Sequence, residues 1–526
     1  MDEATDLGSA TVKNFVSVLS GKLVGAAIAA ILLIAVARLL GPSGYGIYTL
    51  AFGVSALVGA AGHFGIGTYF NNYLARYKSL NDYESIAKTI SSGYVILFPI
   101  ALAVSALGIG ISGIAASFYS HTGISIYDIE IAVGSVFFSM VYGASYSGLI
   151  GLGRGRHAAI SNISTFAVQL VASVSLILAG FGVAGAIAGI LIGYAFGFAI
   201  SFYYVLREIK GKAKLRFAKA PDIKSAIHFS MPLAANNVLS FSTGYIAILL
   251  LGSFSTAYIL GNYGIANKGY SMIAIFTGSA WSIMMPMLSA RRAQSRDAKA
   301  VANTFSKALL YTIAFVVPFI VYIGVMAKPI IFLLITRSFG VAPLYLLLVV
   351  FGVIISLPGL YATSFIIAYE KVYKLMRFTA LSAAVQIISL LILVPHYGAV
   401  GAIISLFYIG SIFNDIIFYH AAKSILKEIS MPRKALILMA SVAIIAPIMA
   451  IALVLPHAIL QAVAGAAILL AAYPFILILL SIINKEFVKD MGRFSSKIPF
   501  IRPFYDIELK YIRFLARLLG KEDILG

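Results

Sequence analysis

Apolar runs of about 20 residues recur from one end of this 526-residue chain to the other, and nothing else constrains its fold as strongly. A run of that length crosses a bilayer as a helix, because no water is available inside to satisfy an open backbone. The composition agrees: 61% of the residues are hydrophobic and 11% charged, against about 25% charged in soluble domains. The expected fold class is all-α, a polytopic membrane protein of 14 transmembrane helices. Their centres fall near Ile28, Ala56, Ala101, Met140, Val171, Ile192, Ser240, Phe276, Val316, Phe351, Ile387, Tyr408, Ile445 and Leu469. The first residues, MDEATDLGSATVK, lack the basic start of a secretory signal, so the first helix is expected to be retained.

The net charge is +20. In a soluble protein this would suggest nucleic acid; here its placement gives another reason. The N-terminus, the even-to-odd connections and the tail hold 33 of the 39 Lys and Arg. The opposite connections hold only Arg38, Lys328 and Arg337. Positive residues stay on the cytoplasmic side, so both termini are expected there, and no nucleic-acid partner is needed.

The stretch Ala37 to Ala51 reads ARLLGPSGYGIYTLA. Gly41 can take the left-handed conformation that ends a helix, and Pro42 cannot continue one. Ser43-Gly44 is expected to turn the chain, with a second helix beginning near Gly46. Part of the pattern returns later. Leu39-Leu40-Gly41 and Gly46-Ile47-Tyr48 are echoed by Leu250-Leu251-Gly252 and Gly261-Asn262-Tyr263. Gly182-Val183-Ala184-Gly185-Ala186-Ile187 is echoed by Gly398-Ala399-Val400-Gly401-Ala402-Ile403. The echoes keep their order, which predicts two six-helix bundles related by a pseudo-twofold axis along the membrane normal. Parallel repeats of this kind occur in transporters, with the substrate path between them.

The expected domains are an N-terminal six-helix lobe at 1–206, a basic cytoplasmic linker at 207–221 and a C-terminal six-helix lobe at 222–428. Transmembrane helices 13 and 14 follow at 429–484, then a basic amphipathic cytoplasmic tail at 485–526. Within the tail, Asp506 to Gly520 is expected to form an interfacial helix capped by Asp506, with Lys510, Arg513 and Arg517 on one face.

No enzyme chemistry is legible. There is no cysteine, the histidines lack metal-ligand spacing, and no nucleotide-binding motif is present. No metal and no cofactor are implied. Intramembrane polar groups remain, and each is costly in hydrocarbon, about 2.5–3.5 kcal/mol for a central Lys or Asp on insertion scales. Lys268 in span 8 lies about 10–15 Å below the outer surface, too deep for easy snorkelling. Lys22 in span 1 lies nearer the inner boundary, within reach of the surface, and His63 shares its depth. Asn236, Asn237 and Asn262 can bond a sugar or another helix. Asp415, beside Asn414, is the intramembrane carboxylate, with a basic neighbour as its simplest partner. Spans 1, 2, 7 and 8 carry lysines and a histidine but no carboxylate, which suits an anion better than a cation.

Arg38, Leu40, Gly41, Pro42, Tyr45, Gly46 and Tyr48 together resemble the first-hairpin motif of polysaccharide flippases of the multidrug/oligosaccharidyl-lipid/polysaccharide superfamily. Ser230-Met231-Pro232-Leu233 is similar to the family's opening of span 7. Leu251-Gly252, Gly261-Asn262-Tyr263 and Ala266-Asn267-Lys268 are similar to its second hairpin, and Pro395 to Ala402 to its motif after span 11. The chain departs from many relatives at Gly244-Tyr245, where they carry an Asp. The resemblance implies movement of polyprenyl-linked oligosaccharides across the plasma membrane, with membrane lipids and glycosyltransferases of the same pathway as further partners. Two other readings stand beside it: a multidrug-type cation-coupled exporter, and a membrane enzyme acting on polyprenyl sugars.

The topology has a direct test in a chain without cysteine. Single cysteines at Ser125 and Ser253 should react with an impermeant thiol reagent added outside, and those at Ser79, Ser295 and Ser495 should not. Outside labelling at Ser295 would contradict the fourteen-span topology.

Overall fold

The computed structural model describes residues 2–62, 65–213, 220–271, 273–274, 298–368, 372–425, 433–440, 442–480, 482–483, 488 and 502–520. All secondary structure among the described residues is helical. In chain order the helices are α1 (Asp2–Gly62), α2 (Ile66–Ser79), α3 (Tyr83–Gly110), α4 (Ser112–Phe118), α5 (Ile126–Gly151), α6 (Gly155–Leu176), α7 (Gly182–Ile209) and α8 (Ala220–Phe254). They continue with α9 (257–271), α10 (Ala298–Val325), α11 (Ala327–Leu334), α12 (Ala342–Ala368), α13 (Val372–Ile403), α14 (Gly410–Ile425), α15 (Arg433–Ala440), α16 (Val442–Ala450), α17 (Ala458–Leu479) and α18 (Arg502–Leu518).

Among the described residues, 8 segments are long and apolar enough to cross a membrane. The protein is therefore a multi-pass membrane protein. Three of these segments are hairpins of two arms, Ser17–Ala60, Gly155–Ile209 and Lys374–Ile425. Glycine makes each turn. Gly41 sits at φ 66, ψ -179 inside α1. Gly182 has φ 53, ψ -128, and Gly398, its expected equivalent, has φ 53, ψ -131. A side chain at these angles would be strained, so the turn selects glycine. The first hairpin differs from expectation in one respect. The chain turns at Gly41 alone and the helix resumes at Pro42, not near Gly46. Proline suits that first position, where its missing N–H would have had no partner.

The chain forms two compact units, one of Met1–Gly264 with Ala383–Ala402, the other of Ile265–Ser382 with Ile403–Gly526.

In the first unit, α6 and α7 lie against each other along a seam with a period of four. Ser161, Thr165, Gln169 and Ser173 of α6 are buried, and α7 presents Gly185, Gly189, Gly193, Gly197 and Ser201. The Ser161 and Ser201 hydroxyls are 2.8 Å apart, and Ser173 donates to the Ala186 carbonyl at 2.9 Å. A methyl group on Gly189 would overlap the backbone of Ser173. Small residues let two helices approach in hydrocarbon, where no hydrophobic driving force separates helix from lipid.

One end of this unit is tied by charge. Glu208, with its side chain 6% exposed, receives Lys78 at 2.6 Å, Arg154 at 2.6 Å and Lys212 at 3.5 Å. Lys78 and Lys212 also lie over the Tyr83 ring, at 5.0 and 4.5 Å from its centre. Burial works against the Lys78 ammonium, but the Glu208 carboxylate outweighs it and raises its pKa. Three connections expected on the cytoplasmic side thus meet at one carboxylate. At the other end, His121 and Ser253–Thr256 line one cleft of about 590 Å³, and a methyl on Gly398 would stand 3.3 Å from the Ser255 hydroxyl. These connections were expected outside.

In the second unit, tyrosines tie helices through carbonyl oxygens. Tyr473 donates to Ala314 at 2.6 Å, Tyr322 to Ala462 at 3.1 Å and Tyr408 to Leu348 at 2.9 Å. A helical carbonyl keeps a second lone pair, so these bonds need no break in the helix. The tail helix α18 begins at Arg502, four residues earlier than expected, so Asp506 lies within it rather than capping it. Its Ile512, Leu515 and Ala516 are buried, while Phe514 and Leu518 stay exposed. Tyr511 donates to the Ala471 carbonyl at 2.9 Å.

The α6–α7 seam predicts that Gly189→Val is destabilising by about 1–3 kcal/mol through overpacking. Gly134→Ala, whose methyl meets only Leu191 at 3.6 Å, should change stability by less than about 0.5 kcal/mol. Thermal unfolding in detergent compares the two.

Candidate functional site

The motif-bearing hairpins meet in the first unit through glycine. The position a side chain would take on Gly46 is aimed at the carbonyl oxygen of Ala257, and that on Gly261 at the carbonyl oxygen of Pro42. Each would also stand 3.0 Å from the backbone nitrogen of the other glycine. Two helices approach backbone to backbone here, which residues with a side chain would prevent. Next to the crossing, Tyr45 and Tyr263 are each 1% exposed. The side-chain position of Gly264 lies 3.2 Å from the Tyr45 ring.

Lys22 is on the inner arm of the first hairpin. Gly21 and Gly25 press that arm against Ala159 and Asn162 of α6. Lys22 lies off that contact face and is exposed. Asn262 is fully buried, and its amide donates to the Tyr258 carbonyl at 2.8 Å. That bond lies within α9. Asn236 and Asn237 lie in α8, with their side chains outside the description, and His63 lies outside the described residues.

Lys268 lies on the part of α9 that belongs to the second unit. Its neighbours pack inward: Gly269 against Leu346, and Tyr270 edge-on to Phe407 at 5.0 Å between ring centres. Lys268 itself is exposed. Among the described residues, none of the ion pairs includes Lys268 or Lys22.

Asp415 has a partner that sequence reasoning missed. Its Oδ1 accepts the Gly359 backbone N–H at 2.6 Å, just beyond Pro358 inside α12. A proline within a helix disturbs the bonding of the turn around it, and the carboxylate takes up a backbone donor at that point. The partner is a peptide group rather than the basic side chain expected.

A third feature is apolar. A groove of about 780 Å³ in the second unit is lined by Ile437, Ile448, Ala472, Phe475, Tyr511 and Leu515, from α15, α16, α17 and α18.

The family description "Polysaccharide biosynthesis protein" matches residues 35–343. Among solved structures, the lipid II flippase MurJ in an inward closed conformation is similar at a TM-score of 0.67 and 14% identity, covering 91% of this chain and 99% of that one. An inward-facing multidrug resistance MATE family transporter of the MOP superfamily is similar at 0.61 and 16%, covering 76% and 94%. At these identities the likeness establishes the fold. Among curated proteins none matches.

Asp415→Asn keeps an acceptor oxygen for Gly359 and should unfold within a few degrees of the unaltered protein. Asp415→Ala removes the bond to that buried N–H and should lose about 1–3 kcal/mol. Equal melting of the two variants in detergent would remove the kink-bonding role.

Proposed function

The chain belongs to the polysaccharide biosynthesis protein family, and from that premise we propose that it is a flippase for polyprenyl-(pyro)phosphate-linked oligosaccharide. It moves this lipid across the plasma membrane by alternating access, for assembly of a surface polysaccharide or glycoprotein. The observation that carries the reading is the family match over 35–343, which includes the motifs of both hairpins and Lys268. A fold shared with a protein named as a lipid II flippase supports it.

The two repeats, 1–206 and 222–428, rock against each other around the path. The matching backbone angles of Gly182 and Gly398 support that pairing. Lys268 holds the carrier's phosphate as a point charge. A lysine within a span needs water or an anion beside it, and this one is exposed. Lys22 is the second cation. Asn236 and Asn237 meet glycan hydroxyls, whereas Asn262 keeps the shape of α9. The apolar groove seats hydrocarbon, either the carrier's chain or bilayer lipid. Movement makes and breaks no covalent bond, so the protein is a carrier and not an enzyme. Glycosyltransferases of the same pathway build its cargo on the cytoplasmic side, where both termini lie.

The multidrug-type reading has one observation in its favour, the fold shared with a multidrug resistance transporter. The lysines and the missing carboxylates of the two hairpins oppose a cationic cargo.

Lys268→Ala should lower glycan export on the order of tenfold or more, because a hydrogen bond to a charged group contributes about 1.5–3 kcal/mol. Lys268→Arg should keep part of the export, and both variants should insert normally. Normal export by Lys268→Ala at normal abundance, read as surface glycan, would overturn the phosphate-site assignment.

A further inference from the structure

We propose that the crossing of Gly46 and Gly261 is the outer gate of the transport path, a backbone-to-backbone contact that parts when the path opens outward. The proposal rests on the flippase reading for its purpose, not for its test.

The contact is symmetric. Gly46 touches Ala257, and Gly261 touches Pro42. Pro42 and Ala257 are 215 residues apart, and so are Gly46 and Gly261. Each hairpin therefore uses the same two positions, the first of one against the second of the other. Such reciprocity is what a twofold axis imposes on a contact. The axis relating the repeats passes between these glycines, and a path along that axis is shut where they touch.

The contact is also chemically weak. Two Cα–H groups face two carbonyl oxygens, a weak interaction. Separating them breaks no ion pair, moves no side chain to a new rotamer, and leaves groups that water can hydrate. The Glu208 cluster is the opposite case. Its strong pairs join Lys78, Arg154 and Lys212, all from the first repeat and the start of the linker, so opening between repeats leaves them intact. Strong polar bonds lie inside a repeat, and the weak contact lies across the axis.

Its position suits a gate. The crossing lies near the tip of the first hairpin and the start of α9, at the end of the unit where connections expected outside gather. Directly behind it, Tyr45 and Tyr263 are almost fully buried. The Gly264 side-chain position lies against the Thr49 hydroxyl. Thr49 is half-buried beside the crossing, so parting the glycines would uncover it further.

The test uses the full chain with one introduced cysteine, Thr49→Cys, and an impermeant maleimide added outside cells. Gly46→Ala or Gly261→Ala wedges the crossing and should raise the labelling rate at least fivefold. Gly44→Ala lies in the same hairpin, but its methyl meets only the Leu40 and Val183 side chains, and it should leave the rate unchanged. Unchanged labelling in both wedge variants, with normal insertion, would make the crossing a fixed packing contact. Should the wedge variants fail to insert, Ser43→Cys with Tyr258→Cys leaves both glycines in place. Bridging that pair with a short cleavable bifunctional thiol reagent should stop export, and cleavage should restore it. Export that continues across the bridge overturns the proposal. Wedge-dependent labelling in a chain that moves no glycolipid keeps the gate and removes the flippase reading.

Discussion

The bilayer supplies no water to unpaired backbone groups and no hydrophobic force between helices. Helices must therefore hold one another by close approach, and in this protein glycine makes the approach. Gly189 of α7 lies on the Ser173 backbone of α6. Gly21 and Gly25 set the first arm of α1 on the same helix. Gly46 and Gly261 cross backbone to backbone. Where polar bonds are added, they use what a helix leaves over: the spare lone pair of a carbonyl, taken by Tyr473, Tyr322 and Tyr408. Asp415 takes a backbone N–H beside the Pro358 kink.

This division of labour has a consequence for movement. Charge concentrates at one end of the first unit, where Glu208 joins three basic residues. The other end closes on glycine. A carrier that opens to one side at a time needs rigid bodies and a contact that separates easily. In the proposed mechanism, polar seams and ion pairs of the first unit provide the first, and the side-chain-free crossing provides the second.

Much of this was legible in the sequence. Gly41-Pro42 announced a tight hairpin, although the helix resumes at Pro42 itself. The echo of Gly182 in Gly398 announced two turns of one shape, and their angles agree within 3° in ψ. The echo of Gly46 in Gly261 was visible as well, but not that these two glycines touch, because an echo states equivalence and not contact. The spacing of four in Gly185, Gly189, Gly193, Gly197 and Ser201 stood in the sequence, with Ser161, Thr165, Gln169 and Ser173 as its match. Reading for charged groups passed over it. Glu208 escaped for the opposite reason: it sits among basic loop residues, and only the fold gathers Lys78, Arg154 and Lys212 around it. Asp415 was found, but its partner is a peptide group, which no side-chain pattern reveals. Asn262 matched a motif, yet its amide turns back to Tyr258; a motif fixes position and leaves side-chain direction open.

The central claim is that a charged glycolipid, and not a cation, is what this protein carries. Reconstitution in liposomes tests it most directly. The vesicles would hold polyprenyl-pyrophosphate oligosaccharide and, separately, a lipophilic fluorescent cation. An impermeant glycosidase added outside would report the glycolipid exposed in the outer leaflet over time. The account predicts that the protein speeds glycolipid exposure well above protein-free vesicles and leaves cation efflux unchanged. Cation efflux without glycolipid exposure would contradict it.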